Sequence, residues 1–160
     1  MHGGSPPTLA SVTSGKRQGA LISVGYERRD QEELIALLID HDVHVLVDVR
    51  LNAISRKKGF SKSALAKALE TAGIDYRHER ELGNPKENRE PFRRGLRSAR
   101  LRYLRHLGNG AGPVYDEIVS LARTSRVALL CFERDHATCH RSCITDTATE
   151  ADPTVDLIKL

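Results

Sequence analysis

Short apolar runs along the chain alternate with segments in which apolar residues recur every three or four positions. The runs at 21–24, 43–49 and 127–131 are mostly apolar or β-branched. Such runs are typical of strands buried on both faces of a parallel sheet. A shorter segment at 74–78 predicts another strand, and 155–160 predicts an edge strand.

Helices are predicted between these strands. Asp30 precedes an amphipathic segment that has Glu33 in its first turn, a pattern typical of a helix N-terminus. Pro91 is expected to begin a helix that follows a charged surface loop at 79–91. The predicted helices span 31–41, 61–72, 91–107 and 114–122, and a last helix begins at Thr138 or Cys139.

The alternation of strands and helices favours an α/β fold, with one open, mostly parallel sheet and helices on both faces. Residues 1–20 are rich in Gly, Ser, Thr and Pro and lack apolar periodicity, so they are predicted to be a disordered leader. The folded domain is then 21–160. Sheets of this kind bind ligands beyond the carboxyl ends of their strands, which selects the segments at 25–26, 48–50 and 131–133.

Cys139 is the candidate nucleophile of the predicted site. It lies at an expected helix start and is followed by His140 and Arg141. A helix N-terminus and nearby positive charge both favour the thiolate form of a cysteine. His140 is expected to assist proton transfer, and Glu133 completes the predicted catalytic set.

Metal binding is the competing interpretation of the same segment. Thiolates and imidazoles suit a tetrahedral zinc or iron site, but the CxxC spacing of zinc knuckles is absent here. The preferred prediction is therefore a site without a cofactor. If a metal is bound, Cys131, Cys139 and His140 are its expected ligands. The wider set of candidate ligands is Cys131, His136, Cys139, His140 and Cys143.

Arginines near the strand ends predict an anion-binding site. The planar guanidinium group suits phosphate and carboxylate recognition, and N–H groups at helix starts add to it. The competing interpretation for Asp48 and Glu133 is an ion pair with one of these arginines. The predicted anion-binding residues are Tyr26, Asp48, Arg50, Ser55, Arg56 and Arg141.

The overall charge also favours anionic partners. The formal net charge is +4, and arginines crowd the segment at 93–105. Arginine runs of this kind can follow a phosphate backbone, although most form solvated surfaces. Aromatic residues make up only 4% of the chain, which weakens a proposal of base stacking. An anionic small molecule and a nucleic acid are both kept as candidate partners.

The sequence predicts a cytoplasmic protein without membrane contact. No apolar run approaches the roughly 18 to 20 residues that a membrane span needs, and the N-terminus lacks the pattern of a secretory signal. The three cysteines cannot all pair with one another, which favours a reducing compartment.

Several short motifs occur in a recognisable order. They are Val24-Gly25-Tyr26, Leu46-Val47-Asp48-Val49-Arg50, Ser55-Arg56, Gly59-Phe60-Ser61, Leu82-Gly83-Asn84-Pro85, Cys131-Phe132-Glu133 and Cys139-His140-Arg141. Over residues 21–148 this order resembles the domain-of-unknown-function family 488 (DUF488), in particular a branch with a Leu-Gly-Asn-Pro loop. The resemblance implies an α/β fold with a shared pocket and implies no established reaction. Cys143 lies outside the family pattern, and Leu51 stands where many members have proline.

Three functional hypotheses follow. The first is a transferase or hydrolase in which the Cys139 thiolate attacks a phosphate- or sulfur-containing substrate held by arginines. The second is a module that binds a nucleotide or nucleic acid without catalysis. The third is a zinc or iron site built on Cys131, Cys139 and His140.

Overall fold

The computed structural model describes residues 19–160, and these contain one five-stranded parallel sheet. The strands are β1 (Ala20–Gly25), β2 (Val45–Asp48), β3 (Asp75–His78), β4 (Arg126–Cys131) and β5 (Asp156–Lys159). Their order across the sheet is β3-β2-β4-β1-β5, and every pairing is parallel. The predicted α/β fold with an open, mostly parallel sheet is confirmed.

Helices cover both faces of the sheet. The α-helices of the described residues are α1 (Gln31–Asp40), α2 (Lys62–Thr71), α3 (Lys86–Arg93), α4 (Arg97–Gly108), α5 (Gly112–Ala122) and α6 (Arg141–Ala151). Successive strand residues point to opposite faces. Ile22 therefore packs with Leu34 of α1 and Leu65 of α2, whereas Leu21 packs with Ile144 of α6 on the other face. No helix in the described part of the chain is long and apolar enough to cross a membrane.

The predicted surface loop at 79–91 was wrong. This segment contains a 3-10 helix at Arg80–Leu82 and most of α3, and Pro91 lies inside α3 rather than at a helix start. A tertiary contact holds α3, since the buried Asn88 donates from Nδ2 to the backbone oxygen of Ala99 at 3.0 Å. The predicted helix 91–107 is thus two helices. Gly95, with φ of +80°, lies in the turn that separates them.

Two other predicted boundaries change. The last helix begins at Arg141 instead of Thr138 or Cys139, because a 3-10 turn at His136–Thr138 precedes it. Ala20 is buried in β1, so the predicted leader 1–20 extends too far into the domain. Gly19 is buried as well, and residues 1–18 of that leader lie outside the described residues.

Segments at the carboxyl ends of β1, β2, β3 and β4 pack closely against one another. A Cβ atom on Gly25, at the end of β1, would lie 2.0 Å from the backbone oxygen of Glu133. A Cβ atom on Gly83 would lie 2.4 Å from the Cα of Leu51. Glycine permits both approaches because it has no side chain. These contacts draw the loops after β2, β3 and β4 around one cleft.

Candidate active site

A cleft of about 230 Å³ opens at the carboxyl ends of the central strands. Its position follows the rule for parallel sheets, since the central strands β4, β1 and β2 all end there. The structure brings six of the predicted site residues to the lining of this cleft. These are Tyr26, Arg50, Cys131, Glu133, Cys139 and His140.

Cys131, Cys139 and His140 form the floor of the cleft. One ligand atom from each lies within 4.8 Å of the other two, and all three residues are buried. Cys131 comes from the end of β4, whereas Cys139 and His140 immediately precede α6. Among residues 19–160 they are the only group of three metal-ligating side chains that lie this close together.

The orientation of the His140 ring is set by the backbone of β2. Nε2 of His140 lies 2.9 Å from the carbonyl oxygen of Val49. A carbonyl oxygen only accepts hydrogen bonds, so in the neutral ring Nε2 carries the proton and Nδ1 keeps its lone pair. That Nδ1 lies 3.6 Å from Sγ of Cys139. The neutral His140 ring therefore presents an unprotonated nitrogen to the thiol.

Cys131 and Glu133 extend this arrangement along the end of β4. A hydrogen bond with Cys139 and burial raise the pKa of Cys131 well above its usual range. Sγ of Cys131 lies 3.7 Å from Oε1 of Glu133, and Oε2 of Glu133 accepts from Arg93 at 2.8 Å. Burial alone would raise the pKa of Glu133, but the hydrogen bond and charge of Arg93 lower it overall.

Asp48 and Arg50 form a buried ion pair behind the cleft. Arg50 donates from Nε and Nη2 to the two Asp48 oxygens at 2.8 and 2.6 Å. It also donates to the backbone oxygen of Phe60 at 2.7 Å, and Tyr76 donates its hydroxyl proton to Asp48 at 2.6 Å. Burial alone would lower the pKa of Arg50, but Asp48 outweighs burial and raises it. Most of the Arg50 guanidinium group is thus engaged within the protein.

Arg141 lies outside the cleft lining, contrary to its expected position at the anion site. Its side chain is 0% exposed. The guanidinium group donates to Ser23 Oγ at 2.9 Å, to the Val24 oxygen at 2.8 Å and to the Glu133 oxygen at 2.5 Å. Arg141 therefore ties α6 to β1 and to the loop after β4. A ligand cannot reach it in this conformation.

Ser55 and Arg56 also lie outside the cleft lining. The Ser55 hydroxyl accepts from the backbone N–H of Lys57 at 3.1 Å, and Ser61 donates from Oγ to the Ser55 oxygen at 3.1 Å. These bonds shape the turn that leads into α2. Arg56 is exposed on that turn.

The sequence prediction missed two arginines in the cleft. Arg89 and Arg93 both line it and lie four residues apart on α3. They were overlooked because the segment was expected to be a loop followed by a helix with solvated arginines. The available signal was their spacing, because two arginines four residues apart share one face of any helix that spans both.

Cys143 and His136, from the wider set of candidate ligands, stand apart from the cluster. Burial raises the pKa of Cys143 to about 11. Nδ1 of His136 forms a hydrogen bond with Ser23 Oγ at 2.7 Å, and Nε2 forms one with Thr145 Oγ1 at 3.2 Å. Both residues are held in the packing around α6 and do not reach the floor of the cleft.

The comparisons with known proteins bear on this site. A family model described as domain of unknown function DUF488 matches residues 30–148, which is well over half of the chain. The chain belongs to the DUF488 family. Comparisons with curated proteins and with solved structures gave no match. In this DUF488 protein all three cluster residues fall within the matched region, and the assignment to a Leu-Gly-Asn-Pro branch stays a prediction.

His136 is expected to make the protein acid-sensitive. Burial and the charges of Arg141 and Lys159 lower its pKa to about 4 in the folded state, against 6.5 for the ordinary group. The unfolded chain therefore binds a proton that the folded protein does not, and stability is lost as pH falls from 6.5 towards 4. With allowance for partial exposure, the loss is about 1–2 kcal/mol.

Urea unfolding at pH 7.5 and pH 4.5 measures this effect. The His136→Gln variant keeps hydrogen-bonding capacity towards Ser23 and Thr145, and it should lose less stability between the two pH values than the parent protein. Equal losses in both proteins would contradict the assignment.

Proposed function

We propose that this DUF488 protein is a metal-dependent hydrolase with a zinc ion held by Cys131, Cys139 and His140. The observation that carries the proposal is the convergence of these three ligand atoms within 4.8 Å on the floor of a cleft. Three protein ligands with one open position are typical of catalytic zinc sites, whereas structural sites have four.

The spacing within the cluster supports a tetrahedral site. Bonds of ~2.3 Å to sulfur and ~2.05 Å to nitrogen at a tetrahedral angle separate those two atoms by about 3.6 Å. Sγ of Cys139 and Nδ1 of His140 are 3.6 Å apart. The bond from His140 Nε2 to the Val49 oxygen is the kind of support that metal-binding histidines usually have. Thiolate ligands favour zinc or iron over magnesium and calcium.

A zinc ion held by Cys131, Cys139 and His140 would lower the pKa of a water molecule and so supply a nucleophile. Glu133 would serve as the general base, since it lines the same cleft and its Oε1 lies 3.7 Å from Sγ of Cys131. It would accept the water proton as the water oxygen bonds to the electrophilic atom of the substrate. The bond to the leaving group would break, and Glu133 would return the proton to that group. Three cysteines without a disulfide fit a reducing cytoplasm, which we propose as the compartment.

The Cys139–His140 pair favours one second candidate. The unprotonated Nδ1 of His140 lies against Sγ of Cys139, as in enzymes where a histidine activates a cysteine nucleophile. In that case the thiolate attacks the substrate directly and no metal is bound. Cys139 is only 1% exposed, however, and reactive cysteines are usually partly accessible. This observation favours the metal.

Metal analysis of protein purified without a histidine tag tests the proposal. About one zinc or iron per chain is expected for the parent protein and for Cys143→Ala, which changes a buried cysteine outside the cluster. Cys139→Ser is expected to hold less than about a tenth of that amount. Iodoacetamide should modify Cys139 only after a chelator removes the metal.

The two candidates give different results in these measurements. The zinc proposal would be overturned, and the thiolate enzyme supported, if the parent protein is purified without metal and its Cys139 is alkylated faster than a free thiol. Protein that binds no added zinc and whose Cys139 reacts slowly would overturn both.

A further inference from the structure

We infer that Arg89 and Arg93 form an anion-binding subsite that holds a phosphate group in the cleft, next to the cysteine and histidine cluster. The position of this subsite differs from the one predicted from the sequence, where Arg50, Arg56 and Arg141 were to hold the anion. Its role in recognising a substrate rests on the proposed function. Phosphate binding itself does not.

The geometry of α3 places both arginines in the cleft. They lie four residues apart, and residues at this spacing share one face of a helix. Both line the same cavity as Cys139 and His140. Two guanidinium groups on one wall match the charge of a phosphate dianion and can each donate two parallel hydrogen bonds to its oxygens.

Arg89 has donors to spare. It is half-buried, and its Nε donates to the backbone oxygen of Asn84 at 3.3 Å. Within residues 19–160 its terminal nitrogens have no hydrogen bond to the protein, and no carboxylate forms an ion pair with it. A partly buried cation without a carboxylate partner attracts an anion from solution.

Arg93 has donors left beside its present partner. Its side chain is half-exposed, and its Nη2 donates to Glu133 at 2.8 Å. Nε and Nη1 of Arg93 make no hydrogen bond within residues 19–160, so they can donate to a phosphate while Nη2 stays on Glu133. A phosphate bridging Arg89 and Arg93 would then lie beside Glu133 and the floor of the cleft.

Two exposed apolar side chains in the cleft lining indicate the rest of the ligand. Ile54 is 78% exposed and Phe132 is 42% exposed, and both line the cleft. Large apolar side chains left exposed at a cavity indicate contact with an apolar part of a ligand. The volume of about 230 Å³ is smaller than the roughly 300–1,000 Å³ of sites for drug-sized molecules. The favoured ligand is therefore a small organic phosphate.

Titration with inorganic phosphate, followed by calorimetry, tests the inference on zinc-free and zinc-loaded protein. Arg89→Gln and Arg93→Gln should each weaken phosphate binding at least about tenfold. Arg94→Gln is the matched control, because Arg94 is the exposed neighbour of Arg93 and does not line the cleft. Its affinity should stay within about twofold of the parent value.

Several results would overturn the inference. They are the absence of saturable phosphate binding below about 10 mM, equal binding by all three variants, or binding that requires zinc and ignores both arginines. A single-stranded oligonucleotide without terminal phosphates that competes more strongly than an organic phosphate would also overturn it, in favour of nucleic acid.

The outcome is separable from that of the proposed function. Metal content should be unchanged in Arg89→Gln and Arg93→Gln, since neither residue is a ligand. A metal-free protein whose phosphate binding depends on these arginines refutes the zinc proposal and leaves the subsite intact. A zinc-containing protein that binds no phosphate refutes the subsite and leaves the zinc proposal intact.

Discussion

Removal of the metal by a chelator is expected to lower the midpoint of thermal unfolding by about 10 °C. A ligand that binds only the folded state stabilises it by ~4 kcal/mol at a thousand times its dissociation constant. In a domain of this size each kcal/mol corresponds to roughly 2–4 °C. The effect should be large here because the proposed ligands come from two segments. Cys131 ends β4, and Cys139 and His140 precede α6, so a shared metal holds the intervening loop closed.

Differential scanning calorimetry with and without chelator measures this change. The Cys131→Ser and Cys139→Ser variants should melt near the temperature of the chelated parent protein and should not respond to chelator. Cys143→Ala is a suitable control because it removes a buried thiol outside the cluster and should keep the full chelator response. An unchanged midpoint in the chelated parent protein, with its metal gone, would show that the metal does not support the fold.

Asp48→Asn is expected to destabilise the protein by about 3–5 kcal/mol, although Asp48 is not one of the proposed zinc ligands. Asp48 is fully buried and accepts hydrogen bonds from Arg50 and from the hydroxyl of Tyr76. The substitution keeps the size of the side chain but leaves the Arg50 guanidinium, which is only 6% exposed, without a counter-charge. Removal of one partner from a buried ion pair is costly for that reason.

Urea unfolding of zinc-loaded protein measures the loss of stability. Asp146→Asn provides the comparison, because Asp146 pairs with Arg100 at 2.7 Å in a more exposed setting. That pair should contribute about 0–1 kcal/mol. If both substitutions cost the same small amount, the Asp48–Arg50 pair does not carry the stability assigned to it.

The strands and the side of the sheet that carries the site were accessible from the sequence. The runs at 21–24, 43–49 and 127–131 are apolar because a central parallel strand is covered on both faces, and that burial leaves a direct mark on composition. The carboxyl-end rule then selected Cys131, Glu133 and Tyr26, all of which line the cleft. Membership in the DUF488 family was likewise read from the order of short motifs and is confirmed.

The helices around the site were less accessible because tertiary contacts override local signals. Pro91 usually marks a helix start, yet α3 begins at Lys86 and is held to α4 by the Asn88 side chain. The amide that makes this contact has no periodic pattern in the sequence. The consequence was that Arg89 was placed in a loop and was not considered for the site.

The roles of the arginines show where sequence reasoning ends. An arginine has the same residue letter whether its guanidinium group is enclosed by backbone oxygens, as in Arg141, or lines a cleft, as in Arg89. Which of these holds depends on side-chain direction and on the partners supplied by distant elements. Ser23, for example, meets Arg141 across 118 positions of the chain.

The meeting of the Asp48-Val49-Arg50 and Cys139-His140-Arg141 segments was determined by the sequence alone, since parallel strands and the helix starts that follow them share one edge of the sheet. The role of each side chain within those segments was decided only by the tertiary structure. The Val49 carbonyl fixes the proton of His140, and the buried carboxylate of Asp48 engages Arg50. Hydrogen bonds depend on direction and on distances of a few tenths of an ångström, and these quantities exist only once the chain has folded.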